Sequence, residues 1–200
     1  FTVYTSYPGD GNSSNDSLTV SVTNVGLCTP EADCSYGDGM TSFEFADISN
    51  LDSGCSELGY GDYTDLSTDL LQGETYDMTF SSGYGSQVFR VWIDYNDDFV
   101  FSLDELIVDN PVLANGQGPG DYEGTLPVEI PSDAALGEHM MRVKSNYGAL
   151  VPDDACEGTE YGETEDYTVN IISSLGMDDL TTNSDPVSYT HLRAHETVDY

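Results

Sequence analysis

Apolar side chains fall at every second position in five separate stretches of this chain, and that period decides its fold class. The stretches are Phe43 and Phe45; Tyr76, Met78 and Phe80; Phe89, Val91 and Ile93; His139, Met141 and Val143; and Tyr167, Val169 and Ile171. Successive side chains of a strand point to opposite faces, so a period of two buries one face and wets the other. Clusters of Gly, Asn, Asp and Pro divide these stretches, notably Asn115-Gly-Gln-Gly-Pro-Gly120. Sustained helical periodicity is absent. Short alternating strands with turns at this spacing predict an all-β fold, an antiparallel β-sandwich of jelly-roll-like type, and not a parallel α/β sheet.

Charge sets the next limit. Asp and Glu number 37 against 4 Lys and Arg, a formal charge of −33. Such a polyanion repels nucleic acid and anionic membranes, so neither is an expected partner. Self-repulsion on this scale loosens a compact state unless cations screen it. An acidic surface suited to salty water is one reading; specific divalent-cation sites are a second, compatible with the first. Disorder does not fit a chain with 14 Tyr, 7 Phe and clear alternation. No apolar run approaches the length of a membrane-spanning helix. The chain begins at Phe1 without an initiator Met, and is read as a mature product or a fragment.

Cys28, Cys34, Cys55 and Cys156 contain no C-x-x-C pair of the kind that zinc or redox sites use. Two disulfides formed in an oxidising compartment are expected, placing the chain outside the cell as a secreted or surface protein. Three pairings are open, and sequence does not choose among them. The expected one joins Cys34 to Cys55, closing a local loop, and Cys28 to Cys156, tying the start of the domain to its end.

The flanks read differently from the centre. Phe1–Thr5 and Leu18–Thr23 have strand composition around the turn-rich stretch Pro8-Gly-Asp-Gly-Asn-Ser-Ser-Asn-Asp16. Residues 1–24 are therefore expected to be the last strands of a preceding domain, resembling Ig-like adhesion modules. Residues 173–186 form a polar linker. Val187-Ser-Tyr-Thr-His-Leu-Arg-Ala-His-Glu-Thr197 resembles the conceptual translation of a sequencing-library adapter, so residues 187–200 are read as foreign to the natural protein. That removes His191, His195 and Glu196 from consideration as a zinc site. The metalloprotease pattern would in any case need Glu at 192, where Leu stands.

The segment richest in chemistry is Val91-Trp-Ile-Asp-Tyr-Asn-Asp-Asp-Phe-Val-Phe-Ser-Leu-Asp-Glu105. Against the calcium-loop pattern D-x-[DN]-x-[DN]-G-x5-E it supplies Asp94, Asn96 and Asp98 at the first, third and fifth places. Val100 offers a carbonyl at the seventh and Glu105 a carboxylate at the twelfth. Calcium takes hard oxygen ligands, and this spacing lets a short loop wrap one ion. Phe99 stands where the pattern has Gly, and a positive φ is costly for a bulky residue. A strand precedes the loop, so the expectation is a calcium loop on a β-scaffold. Its alternative is an acidic turn with no ion.

Trp92-Ile-Asp-Tyr-Asn-Asp-Asp98 and Gly162-Glu-Thr-Glu-Asp-Tyr-Thr-Val169 together resemble the GEVED domain, with Thr164 in place of that motif's Val. Cys28-Thr-Pro30, Gly59-Tyr-Gly-Asp-Tyr-Thr64, Leu70-Leu-Gln-Gly73 and His139-Met-Met-Arg-Val143 extend the resemblance over residues 28–172. It implies an extracellular accessory β-domain beside proteases, adhesion modules or other secreted domains, in proteins of bacteria with a type IX secretion system. Ile171–Leu180 resembles the approach to the C-terminal sorting domain of such proteins. Glu163 and Glu165 would add to a cation site if their segment lay beside the Asp94 loop. Alternation sets Asp166 on the opposite face from them, so all three cannot serve one ion without a bulge.

No nucleophile, metalloprotease or phosphate-loop motif is present, and His139, alternating with Met141 and Val143, reads as a packed or edge histidine. Acidic pairs can be drawn anywhere in so acidic a chain, and they argue nothing. The expected role is a non-catalytic, calcium-stabilised accessory module for adhesion or for binding a glycan or protein surface within a larger polypeptide. The alternatives are a passive spacer beside a hydrolase domain and a fragment of a hydrolase. Trp92, Tyr60, Tyr63, Tyr84 and Tyr122 are the candidate ligand surface, with Trp92 equally readable as core.

Overall fold

A computed structural model describes residues 2–4, 17–19 and 26–173 of the chain. The expected linker at 173–186, the approach to a sorting domain and the adapter-like segment at 187–200 lie, Ser173 and the start of that approach excepted, outside the described residues. Strands β1 (Thr2–Tyr4) and β2 (Ser17–Thr19) pair antiparallel, Thr2 opposite Thr19.

Nine further strands form two sheets. They are β3 (Ser42–Phe45), β4 (Ile48–Leu51), β5 (Tyr60–Leu71), β6 (Thr75–Tyr84), β7 (Gln87–Ile93), β8 (Leu106–Leu113), β9 (Pro119–Glu129), β10 (Gly137–Tyr147) and β11 (Thr164–Ile172). One sheet runs β4-β3-β6-β9 and the other β5-β11-β10-β7-β8. Every pairing is antiparallel except β11 with β5, which is parallel from Thr164 opposite Tyr60 to Ile172 opposite Leu71. The sandwich is all-β as expected, with this one departure from an antiparallel scheme. A parallel pair needs a long crossover, and the whole span from β6 to β10 lies between these two strands.

The alternating residues meet between the sheets. Phe43, Phe45, Met78 and Phe80 from one sheet pack with Phe89, Val91, Ile93, Met141, Val143, Tyr167, Val169 and Ile171 from the other. Phe43 bridges the layers, its ring 5.7 Å from Phe80 and 4.9 Å from Tyr167. Each such side chain contributes about 1.5–3 kcal/mol by leaving water.

β7 is buried at every residue. Its second face, Val88 and Trp92, lies under a smaller apolar cluster with Phe101, Val151 and Ala155, edged by Leu27, Leu106 and Met140. Trp92 is 0 % exposed and so presents no platform to a ligand. The reason is that the connections through Leu27, Phe101 and Val151–Ala155 fold over the outside of the five-stranded sheet. Cys28 is bonded to Cys156, and Cys34 to Cys55. Among the described residues no helix is long and apolar enough to cross a membrane.

Candidate functional site

The Asp94 loop begins where β7 ends. The Asp94 amide makes a ladder bond to Met140 O at 2.9 Å, and its side chain turns into the loop that follows. Asp94 is 1 % exposed. Its Oδ1 accepts from the Asp98 amide at 3.2 Å and its Oδ2 from the Phe99 amide at 2.8 Å. Asn96 Oδ1 accepts from the same Asp98 amide at 2.9 Å, and Asp98 Oδ1 from the Val100 amide at 2.8 Å. The first, third and fifth positions of the pattern thus each turn an oxygen onto a loop amide, Asp94 from a buried position and Asn96 and Asp98 from exposed ones. Phe99 sits at φ +62°, the left-handed conformation that the pattern's Gly would supply. That conformation costs a residue with a Cβ about 1–2 kcal/mol.

Glu105 closes the segment at 5 % exposure. Its Oε2 accepts from the amide and hydroxyl of Ser102, each at 2.9 Å, while Oε1 is buried without a partner. Nearby Tyr95 is pushed up to about 12, by burial first and by the Glu105 charge second. Among the described residues no group of three or more His, Cys, Asp or Glu side chains is gathered to hold a metal. The donor chemistry of the loop fits a hard cation, with one orphaned carboxylate oxygen, while its present hydrogen bonds turn most of its oxygens onto its own amides. His139 packs beside the loop, Nδ1 3.0 Å from Asp97 Oδ1 and Nε2 2.9 Å from Ala135 O, in the structural role expected of it.

The structure keeps Glu163 and Glu165 away from this loop. Glu163 Oε1 accepts from the Ser56 amide at 2.7 Å and Oε2 from the Met40 amide at 3.1 Å, beside the Cys34–Cys55 bridge. Glu165 Oε2 accepts from the Tyr167 hydroxyl at 2.6 Å. Register explains the separation: Glu165 pairs with Val143 and Val143 with Val91, three residues before Asp94 and so about 10 Å along the strand. Asp166, on the opposite face, takes two hydrogen bonds from Arg142.

Burial holds the Glu163 carboxyl above its ordinary range. Burial, then the charge of Glu163, pushes Glu165 up from 4.5 to about 8. Between those values the unfolded chain gives up this proton while the folded one keeps it, so its contribution to stability is full below pH 4.5 and falls as pH rises towards 8. Across pH 5 to 7 the loss is about 2–3 kcal/mol. Urea melts at those two pH values should show that Glu165→Gln shrinks the difference by this amount; an unchanged difference would mean that Glu165 is ionised in the fold.

The candidate ligand tyrosines scatter. Tyr60 donates to Asp166 Oδ2 at 2.7 Å, and Tyr63 stacks on Tyr167 with ring centres 5.7 Å apart. Tyr122 lies on β9 opposite Ser82. Tyr84 alone borders a hollow, one of about 230 Å3 lined by Tyr36, Asp38, Tyr84, Tyr147 and Tyr161. Three of these tyrosines were not anticipated, although a signal exists. Each of the four is followed directly by glycine: Tyr36-Gly37, Tyr84-Gly85, Tyr147-Gly148 and Tyr161-Gly162.

Two close backbone approaches assemble the walls. A Cβ on Gly83 would meet Gly37 O at 3.0 Å, so glycine there lets the turn carrying Tyr36 and Asp38 lie close against the strand carrying Tyr84. A Cβ on Gly162, at φ +101°, would fall 2.2 Å from Ser145 O; its absence brings Tyr161 beside Tyr147. Neighbouring rings stand nearly perpendicular: Tyr36 to Tyr161 at 71°, Tyr161 to Tyr147 at 88° and Tyr147 to Tyr84 at 80°.

No curated protein matches the chain. The GEVED domain family model matches residues 88–170, from β7 into β11. That span holds both the Trp92–Asp98 and Gly162–Val169 motifs, whereas the sandwich itself starts further back, through β3 to β6. Residues 88–170, from Val88 on β7 to Asn170 on β11, therefore match the GEVED domain, the family that the two motifs resemble.

Proposed function

We propose that this domain is a non-catalytic, extracellular module of a secreted or surface protein, steadied by calcium at Asp94–Glu105, that binds a glycan or protein surface on behalf of its parent. The observation that supports the cation is the set of oxygens that Asp94, Asn96 and Asp98 bring to one turn, with Phe99 already at φ +62°. Asp94, Asn96, Asp98, the Val100 carbonyl and Glu105 would hold the ion. Bound there, calcium would neutralise part of the local charge and fix the turn between the β7 ladder and Glu105. Two disulfides support an oxidising compartment.

Thermal melting in calcium against a chelator tests this. At a hundredfold excess over Kd, binding to the folded state alone contributes about 2.7 kcal/mol, a rise of roughly 5–10 °C for a chain of this size. Asp94→Ala should abolish the rise. Phe99→Gly should shift the melting temperature alike with and without calcium, because the loop already holds the left-handed conformation. An equal rise with magnesium would reduce the effect to charge screening.

A further inference from the structure

The tyrosine-walled hollow is built for a particular chemistry. Four rings line the hollow in series, each nearly perpendicular to the next, and so differ from the single flat platform on which a sugar ring stacks. Aromatic faces are electron-rich, and several of them lining one hollow present a cation with negative quadrupole density. The volume, about 230 Å3, falls below the roughly 300–1,000 Å3 of pockets that hold drug-sized ligands, so it suits one head group or one side chain.

Asp38 gives the second, independent observation. It lines the hollow at 2 % exposure, and its Oδ1 has no hydrogen-bond partner. A buried, unpaired carboxylate oxygen is costly, and a cation would satisfy it. The protein supplies none. Among the described residues Arg90 is tied to Asp109 and Asp153, Arg142 to Asp166, and Lys144 to Glu157 O. The charged neighbours that act on Asp38 and Tyr161 are Asp33 and Glu160, both acidic. A net charge of −33 draws cations towards the surface as a whole.

We propose that this pocket, lined by Tyr36, Tyr84, Tyr147, Tyr161 and Asp38, binds an alkylammonium cation, either a quaternary ammonium head group or a lysine side chain. It rests on the reading of the domain as a binding module and gives that module a site and a ligand class. It shares no residue with the Asp94 loop.

Calorimetric titration of the whole chain, in calcium and at matched ionic strength, provides the test. The probes are choline, its neutral isostere 3,3-dimethylbutan-1-ol, Nα-acetyl-lysine amide and cellobiose. Choline or the lysine amide should bind saturably and at least tenfold more tightly than the isostere; whichever of the two is tighter identifies the source. Tyr36→Ala should weaken that binding at least fivefold, and because Tyr36 is 70 % exposed the fold survives the change. Asp38→Asn should weaken it similarly, with a melting profile taken alongside. Equal affinity for choline and its isostere, unsaturable uptake indifferent to Tyr36→Ala, or binding of cellobiose alone would each overturn the proposal. Failure here with a glycan or protein still captured elsewhere would leave the module reading standing; failure of both would remove it.

Discussion

Serine at both Cys28 and Cys156 is expected to lower the free energy of unfolding by about 4–5 kcal/mol. The bridge spans 128 residues of sequence, so its loss returns a large amount of chain entropy to the unfolded state. It also pins the segment that covers the outer face of the five-stranded sheet. Cys28 O accepts from Arg142 Nη2 at 2.8 Å, Cys28 Sγ lies 2.9 Å from Arg142 Nη1, and Leu27 edges the cluster over Trp92. Freeing Cys28 therefore loosens the cover of Trp92 as well. Urea melts checked by tryptophan fluorescence report both effects, since Trp92 is the sole tryptophan. The Cys34–Cys55 pair, 21 residues apart, should cost about 3 kcal/mol when removed. If its loss proved the more damaging, closure of the long loop would not be the source of the stability.

The other large effect is expected at Asp166. Arg142 Nε and Nη2 grip its two carboxylate oxygens at 2.8 and 2.7 Å, and both side chains are wholly buried. The guanidinium also lies over the Phe101 ring at 4.5 Å. Asp166→Asn leaves that cation in the interior without its counter-charge and should destabilise the domain by about 3–5 kcal/mol. An apolar pair, Arg142→Met with Asp166→Leu, should recover much of the loss, because neither charge is then left alone. A double-mutant cycle by urea melting separates the coupling from the individual costs. Near-additive losses would show that the pair matters as packing and not as charge.

The alternating stretches made the inner core legible because one face of each strand meets the other sheet. The outer face of β7 was not legible. Alternation sets Trp92 on the side of Val88 and Arg90, but what lies over it comes from connections distant in sequence, and strand periodicity carries no information about them. The same limit applied at Glu163 and Glu165. Alternation gave them a common face, whereas register set them against Met40, Ser56 and Tyr167. In the Asp94 loop, spacing identified the turn. Phe99 accepts the left-handed backbone because Asp94 Oδ2 holds its amide. The tyrosine hollow was hidden because its walls come from four places far apart in sequence, two strand ends and two connections, although a Tyr-Gly pair marked every one of them.

The Gly162–Asp166 stretch works as a buckle. Gly162 lets two backbones touch, Glu163 fastens two distant amides, Glu165 faces inward to Tyr167, and Asp166 locks Arg142 on the far side. The signature by which this domain is known is thus spent on closing the frame. Tyr36 and Tyr84 take no part in that closure, so on the binding proposal above two chains could share the buckle and differ in what they hold.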